Sequence, residues 1–228
     1  MTFMMILKYI IVSIVISLLF GITVSSSLII KKVLKKNSVS SYLFQFWSLV
    51  LFIIIWRYFK PKLAVFNTFK LLSWNNVLLF LIAVIPTSII AYQGNKLKPT
   101  SSIKVDDFFK GASMEIPQRL LVQNLFVLLG MNVLFLGSLT LDIFLNALVW
   151  IQFIIVQEII NGNKITIAAS PEIAASFWFS IWVGILYRDT GSIIIPMLAH
   201  GLQRFLTYKI RQKFGKIETS TMIHNSKD

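Results

Sequence analysis

The sequence predicts an all-α protein, a polytopic transmembrane helical bundle of about seven spanning helices. Three observations carry that expectation. Hydrophobic residues make up 56% of the 228 positions and charged ones 14%, with a mean hydropathy of +0.76, too apolar for a soluble domain of ordinary make-up. The apolar residues are gathered into long runs. Cations stand between the runs: Lys31, Lys32, Lys35 and Lys36 follow the first, and Lys209, Arg211, Lys213 and Lys216 follow the last.

A spanning helix needs about 20 mainly apolar residues, because hydrocarbon offers no partner to an open backbone. The stretches that approach this length are Met4–Ile30, Tyr42–Phe59, Val77–Tyr92, Glu115–Leu136, Leu139–Ile160, Ile173–Tyr187 and Ser192–Tyr208. The third and sixth are short, so tilting, shielding by neighbours or extension into loops is expected of them. In the first, the apolar run continues past Ser25, Ser26 and Ser27 through Leu28, Ile29 and Ile30 to the lysines. That is longer than a signal-peptide core and reads as an uncleaved anchor. Trp47, Trp56, Trp74, Tyr92, Trp178 and Tyr187 fall near the proposed ends, where amphipathic rings suit the headgroup region.

Basic residues in Lys31–Lys36, Lys96–Lys110 and the C-terminal tail place that face, and the C-terminus, in the cytoplasm; the loop from Arg57 to Asn76 is also basic and runs against the count. The net charge of +13, from 22 Lys+Arg against 9 Asp+Glu, is thus explained by an anionic membrane surface, and nucleic acid is not expected as a partner. With Cys 0 there is no disulfide framework and no thiolate ligand. Beyond about Gly215 the chain is polar, and the tail is expected to be disordered.

Ionisable groups inside spans are costly, face the bundle interior and mark sites. Glu115 and Arg119 open the fourth segment, four apart and able to pair on one helical face. Asp142, Gln152, Gln157 and Glu158 lie in the fifth, where Asp142 and Glu158 are close enough to the ends to reach water. His200 and Arg204 repeat the four-residue spacing in the seventh, just after Pro196, which removes a backbone hydrogen bond and can kink the helix.

Three blocks taken in order carry more. These are Gly111-Ala-Ser-Met-Glu-Ile-Pro-Gln-Arg-Leu-Leu, then Phe153-Ile-Ile-Val-Gln157, then Gly184-Ile-Leu-Tyr-Arg-Asp-Thr-Gly-Ser-Ile-Ile-Ile-Pro-Met-Leu-Ala-His200. Together they resemble the core of the CPBP family, the CAAX prenyl endopeptidases and bacteriocin-processing (Abi) intramembrane metalloproteases, over about Gly111 to Leu206. The resemblance implies three domains: 1–110, N-terminal transmembrane helices and basic loops; 111–208, a CPBP/Abi-like core; and 209–228, the basic cytoplasmic tail. Family members carry Glu-Glu-x-x-x-Arg, Phe-x-x-x-His and His-x-x-x-Asn/Asp, which hold a metal or activate water against a peptide bond. Here Glu115, Arg119, Phe153 and His200 match, while Met114 stands at the first glutamate, Gln157 at the second motif's histidine and Arg204 at the amide.

Catalytic zinc needs about three protein ligands and an open water position. Of the family's set His200 alone remains, and a permanent guanidinium on Arg204 would repel a metal cation beside it. The resemblance therefore implies a pseudoprotease with no cofactor, acting in a bacterial cell membrane by binding another membrane protein or a peptide. The implied settings are bacteriocin immunity, surface-protein display or envelope regulation. The alternative is an active CAAX-type or bacteriocin-processing endopeptidase with a rearranged site built on Glu115, His200 and Glu158, holding zinc. With the first glutamate gone, Arg204 is expected to place its guanidinium near Glu115.

Overall fold

The computed structural model describes residues 3–34, 42–59, 73–94, 105–160 and 170–225, with the side chains of 28–34, 93–94, 157–158, 160, 170, 172, 211 and 213–225 outside the described set. The described chain is helical almost throughout. Its helices are α1 (Phe3–Leu34), α2 (Leu43–Phe59), α3 (Trp74–Gly94), α4 (Val105–Ser113), α5 (Asn124–Leu128), α6 (Leu141–Ile160), α7 (Ser170–Thr190) and α8 (Ile194–Asn225). A π-helical stretch, Ile116–Gln123, leads into α5, and a short antiparallel pair, β1 (Leu134–Leu136) and β2 (Leu139–Thr140), separates α5 from α6.

Among the described residues two helices are long and apolar enough to cross a membrane, Phe3–Ser27 within α1 and Trp74–Tyr92 within α3. Leu43–Phe59 and Leu141–Val156 are apolar but shorter. Apolar side chains are exposed along the outer helices, among them Ile10, Ile14 and Leu18 on α1, Ile53 and Ile54 on α2, and Leu78, Leu81 and Ile85 on α3.

The fourth hydrophobic segment differs from its expected form. In place of one helix over Glu115–Leu136, the chain ends α5 at Leu128 and turns. Gly130, at φ 73°, supplies the left-handed residue, and the N–H groups of Gly130 and Met131 return to the carbonyls of Val127 (2.9 Å) and Phe126 (2.9 Å). Lys8 of α1 donates to the carbonyl of Leu129 at 2.6 Å, satisfying a further group at this helix end. Hydropathy alone reads through such a turn because the residues after it, Val133 to Leu136, are themselves apolar.

Three other expectations need correction. Lys96–Lys110 contains the start of α4, an amphipathic helix with Asp106 and Asp107 in its first turn and Lys110 in its last. The chain beyond about Gly215, expected to be disordered, continues α8 to Asn225, with no proline to end the helix. Tyr187, expected to turn its ring toward the headgroup region, is buried in the core.

α3 packs on α7 and α8, α4 on α8, α6 on α7, α2 on the π-helical stretch, and α1 on α2. Two apolar clusters result. The larger joins Val12, Ile16 and Leu19 of α1 with Phe44 and Phe52 of α2, Leu120 and Leu121 of the π-helical stretch, and Leu145 and Val149 of α6. The smaller joins Ala83 and Val84 of α3 with Phe179 and Val183 of α7 and Ala199 of α8. Close helix approach depends on glycine at two points. A Cβ on Gly201 of α8 would stand 2.6 Å from the Phe108 ring of α4, and one on Gly184 of α7 would stand 2.6 Å from Ile143 of α6.

Candidate functional site

Every residue from Pro117 to Asn124 is buried, so this stretch is enclosed by protein around its whole circumference. Its i→i+5 bonding is a winding often found at functional sites. Pro117, in the first turn, has no N–H to leave unpaired there. Glu115 immediately precedes the stretch and Arg119 lies in it, and both are fully buried.

Glu115 is the centre of the site. Arg119 donates through Nε to Oε2 at 3.2 Å, and Nδ1 of His200, on α8, lies 2.6 Å from Oε1. Thus each carboxylate oxygen has its own nitrogen partner, one from the same strand of chain and one from a helix 85 residues away. Proximity of opposite charge offsets the desolvation that buried ions suffer. The His200 ring packs at 4.8 Å from the Phe179 ring, and His200 lines a cavity.

That cavity has a volume of about 430 Å³ and lies among α3, the start of the π-helical stretch, α6, α7 and α8. Met114, Phe153, His200 and Arg204, four of the positions drawn from the sequence, line it together. Met114 also accepts from Nε2 of Gln45 at 3.0 Å. Phe153 stacks with Phe44 (5.4 Å) and Trp150 (5.3 Å) and meets Phe20 edge-on (5.3 Å), so it anchors α6 to α1 and α2. The side chains of Gln157 and Glu158 lie outside the described residues. Arg204 is exposed and is not a partner of Glu115, whose oxygens are taken by Arg119 and His200. Its stem instead lies against Gly111, where a built Cβ would be 2.8 Å from the arginine Cγ.

A second polar group lies behind the first. Gln123 donates to Asp142 at 3.2 Å and to the carbonyl of Gly184 at 3.3 Å, and Asn124 donates to the Tyr187 hydroxyl at 3.0 Å. Asp142, expected to reach water, is buried at the start of α6, where its carboxylate accepts from Gln123 and its N–H donates to the carbonyl of Met131 at 2.9 Å. Gln118, Gln123 and Asn124 were not singled out by sequence reasoning, although amides in an apolar segment are a readable sign of an inward face.

The described donors do not by themselves make a zinc site. Glu115 is hydrogen-bonded on both oxygens, Met114 offers a thioether, the guanidinium-bearing Arg204 borders the same cavity, and the side chain of Glu158 lies outside the described residues. Among the described residues no group of three or more His, Cys, Asp or Glu is placed to hold a metal ion. What the arrangement can do chemically is bind, through a half-polar wall, or present His200 as a base oriented by a carboxylate.

No protein-family model, curated protein or solved structure matches the chain.

Proposed function

We propose that this chain is a multi-pass membrane protein of about seven spans on a CPBP-like scaffold, which binds a segment of another membrane protein or a peptide without cleaving it. The observation that carries this reading is the pairing of Glu115 with Arg119 and His200 at the edge of a cavity of about 430 Å³. A carboxylate whose two oxygens pair with a guanidinium and an imidazole serves as a structural charge centre, its charge balanced by groups of the bundle itself. The exposed apolar side chains of α1, α2 and α3 support a location in a membrane, because a soluble surface rarely carries contiguous apolar area on this scale. By its resemblance the site lies in a bacterial cell membrane with the C-terminus cytoplasmic, serving bacteriocin immunity, surface-protein display or envelope regulation.

One observation favours the second reading, an active endopeptidase with a rearranged site. The contact of 2.6 Å between His200 Nδ1 and Glu115 is how a carboxylate orients an imidazole whose other nitrogen works as a base. Proteoliposomes incubated with labelled membrane peptides separate the two. Binding without new termini is the outcome expected here; cleavage lost in Glu115→Gln and in His200→Ala would establish the endopeptidase.

A further inference from the structure

Between α5 and α6 the β1–β2 hairpin carries Val133, Leu134, Phe135 and Leu136 in succession, and they are 54%, 76%, 52% and 74% exposed. No charged residue and no proline interrupts the segment from Met131 to Thr140. In water such a strand would be an open template for aggregation, which soluble proteins blunt with charge or proline.

The exposed side chains also point in more than one direction. Consecutive residues of an extended strand face opposite sides, and the irregular step between Leu134 and Leu136 can bring only one neighbour across. Phe135 leans on Phe144 of α6, with ring centroids 4.9 Å apart, and half of it is still exposed. A protein partner covers the side on which it docks, whereas a fluid apolar phase covers every side at once.

The root of the hairpin is polar and fixed. Arg188 of α7 donates through Nη2 to the carbonyl of Ser138 at 2.7 Å and through Nη1 to the hydroxyl of Thr140 at 3.0 Å. The N–H groups of Leu141 and Asp142 donate to the carbonyls of Val133 and Met131, each at 2.9 Å. A two-stranded ribbon is marginal by itself, so these bonds hold it in place.

Its level follows from Lys8, which ties the carbonyl of Leu129, just ahead of the hairpin, to α1. Lys8 lies inside the apolar window Phe3–Ser27, below its first residue by about 7–8 Å at a rise of about 1.5 Å per residue. Exposed apolar side chains of α1 run past that level on both sides, Phe3 and Met4 above it and Ile10 and Ile11 below. Amphipathic elements lying in a membrane surface rest at a comparable depth, about 5–10 Å into the boundary between headgroups and acyl chains. The backbone requires a shallow position as well, because an open strand edge in hydrocarbon would leave its N–H and C=O groups without partners.

We propose that the β1–β2 hairpin is an in-plane membrane contact, its apolar tip immersed in lipid at the headgroup–acyl boundary beside the spanning helices. This rests on the membrane location given above and adds to it an element that does not span.

The chain has no cysteine, so Leu134→Cys, Phe135→Cys and Leu136→Cys can each carry one environment-sensitive fluorophore on the full chain in lipid nanodiscs. The quenchers are a lipid with its nitroxide near the headgroup, a lipid with its nitroxide near the end of the acyl chain, and aqueous iodide. Leu18→Cys, near the middle of the α1 window, is the reference. All three hairpin sites are expected to be quenched about twofold or more better by the shallow nitroxide than by the deep one, and little by iodide, with the depth order reversed at Leu18→Cys. Should Phe135→Cys lose its stacking on Phe144 and elute differently from the parent, Leu134→Cys and Leu136→Cys still carry the test. Iodide quenching at the hairpin with Leu18→Cys in lipid overturns the contact and leaves the membrane location standing. A hairpin site shielded from lipid and iodide alike is covered by protein and also overturns the proposal. Iodide quenching at Leu18→Cys as well overturns both.

Discussion

The helices before residue 100 and the stretch around Glu115 solve opposite problems. Of the α1 window Phe3–Ser27 only 17% is buried inside the molecule, whereas every residue from Pro117 to Asn124 is buried. α1 is nonetheless the more apolar of the two. On the proposed membrane location an apolar side chain gains little by leaving lipid for protein, which accounts for the outward leucines and isoleucines of α1. A charged or amide side chain loses heavily in lipid, so Glu115, Arg119, Gln123 and Asn124 are drawn to the centre. In a membrane bundle, polarity therefore marks the interior where in water it marks the surface.

The largest effect should follow from breaking the central ion pair. Arg119→Met leaves Glu115 with His200 alone in a buried site and is expected to cost about 3–5 kcal/mol. Adding Glu115→Leu should return part of that loss, because residues in contact are not additive. Thermal unfolding in detergent reads both; strict additivity would show that the pair carries no coupling.

Next in size is the α4–α8 contact. Gly201→Val would push a side chain into the Phe108 ring, which already lies 2.6 Å from a built Cβ, and overpacking of this kind costs about 1–3 kcal/mol. Phe108→Ala in the same background should relieve it, a rescue that a purely helix-propensity effect of valine would not show.

A smaller effect is expected at the exposed end of α4. Lys110 pairs with Asp106 at 2.6 Å, and Tyr42 also donates to Asp106. The hydrogen bond to Asp106 raises the Lys110 pKa above its ordinary value. A raised pKa in the folded state means stability that is fully present below the ordinary lysine value and fades as pH rises past it. Because the two side chains are 40% and 49% exposed, water screens the pair, and Lys110→Ala should change stability by about 0.5 kcal/mol or less. The difference between variant and parent should stay flat through neutral pH and shrink only in strong alkali. Smallest of all is Leu18→Ala on the outward face of α1, where the proposed membrane location keeps the side chain in lipid before and after unfolding, and no measurable change is expected.

The legibility of the sequence follows the same division. Apolar runs gave the positions of α1, α2, α3, α6, α7 and the first half of α8, since each is a continuous run with few charges. They could not mark the turn at Gly130, because a Schellman end is a backbone event and the residues on both sides of it remain apolar. Nor could they show α4, whose charged residues resemble those of a loop until they are read at helical spacing. The i,i+4 pairing of Glu115 with Arg119 was readable from spacing alone. The approach of His200 to Glu115 was not, because it depends on how α8 packs across 85 residues of chain. Arg204 went the other way from expectation because His200 reaches the carboxylate first and the arginine stem is stacked against Gly111.

The central claim is that Glu115 serves as a sealed charge centre instead of a metal ligand, and the metal content of the purified full-length chain tests it most directly. After equilibration with excess zinc and removal of the free ion, the protein is expected to retain far less than one zinc per chain, with His200→Ala indistinguishable from the parent. Retention of one zinc per chain, lost in His200→Ala and in Glu115→Gln, would contradict the account.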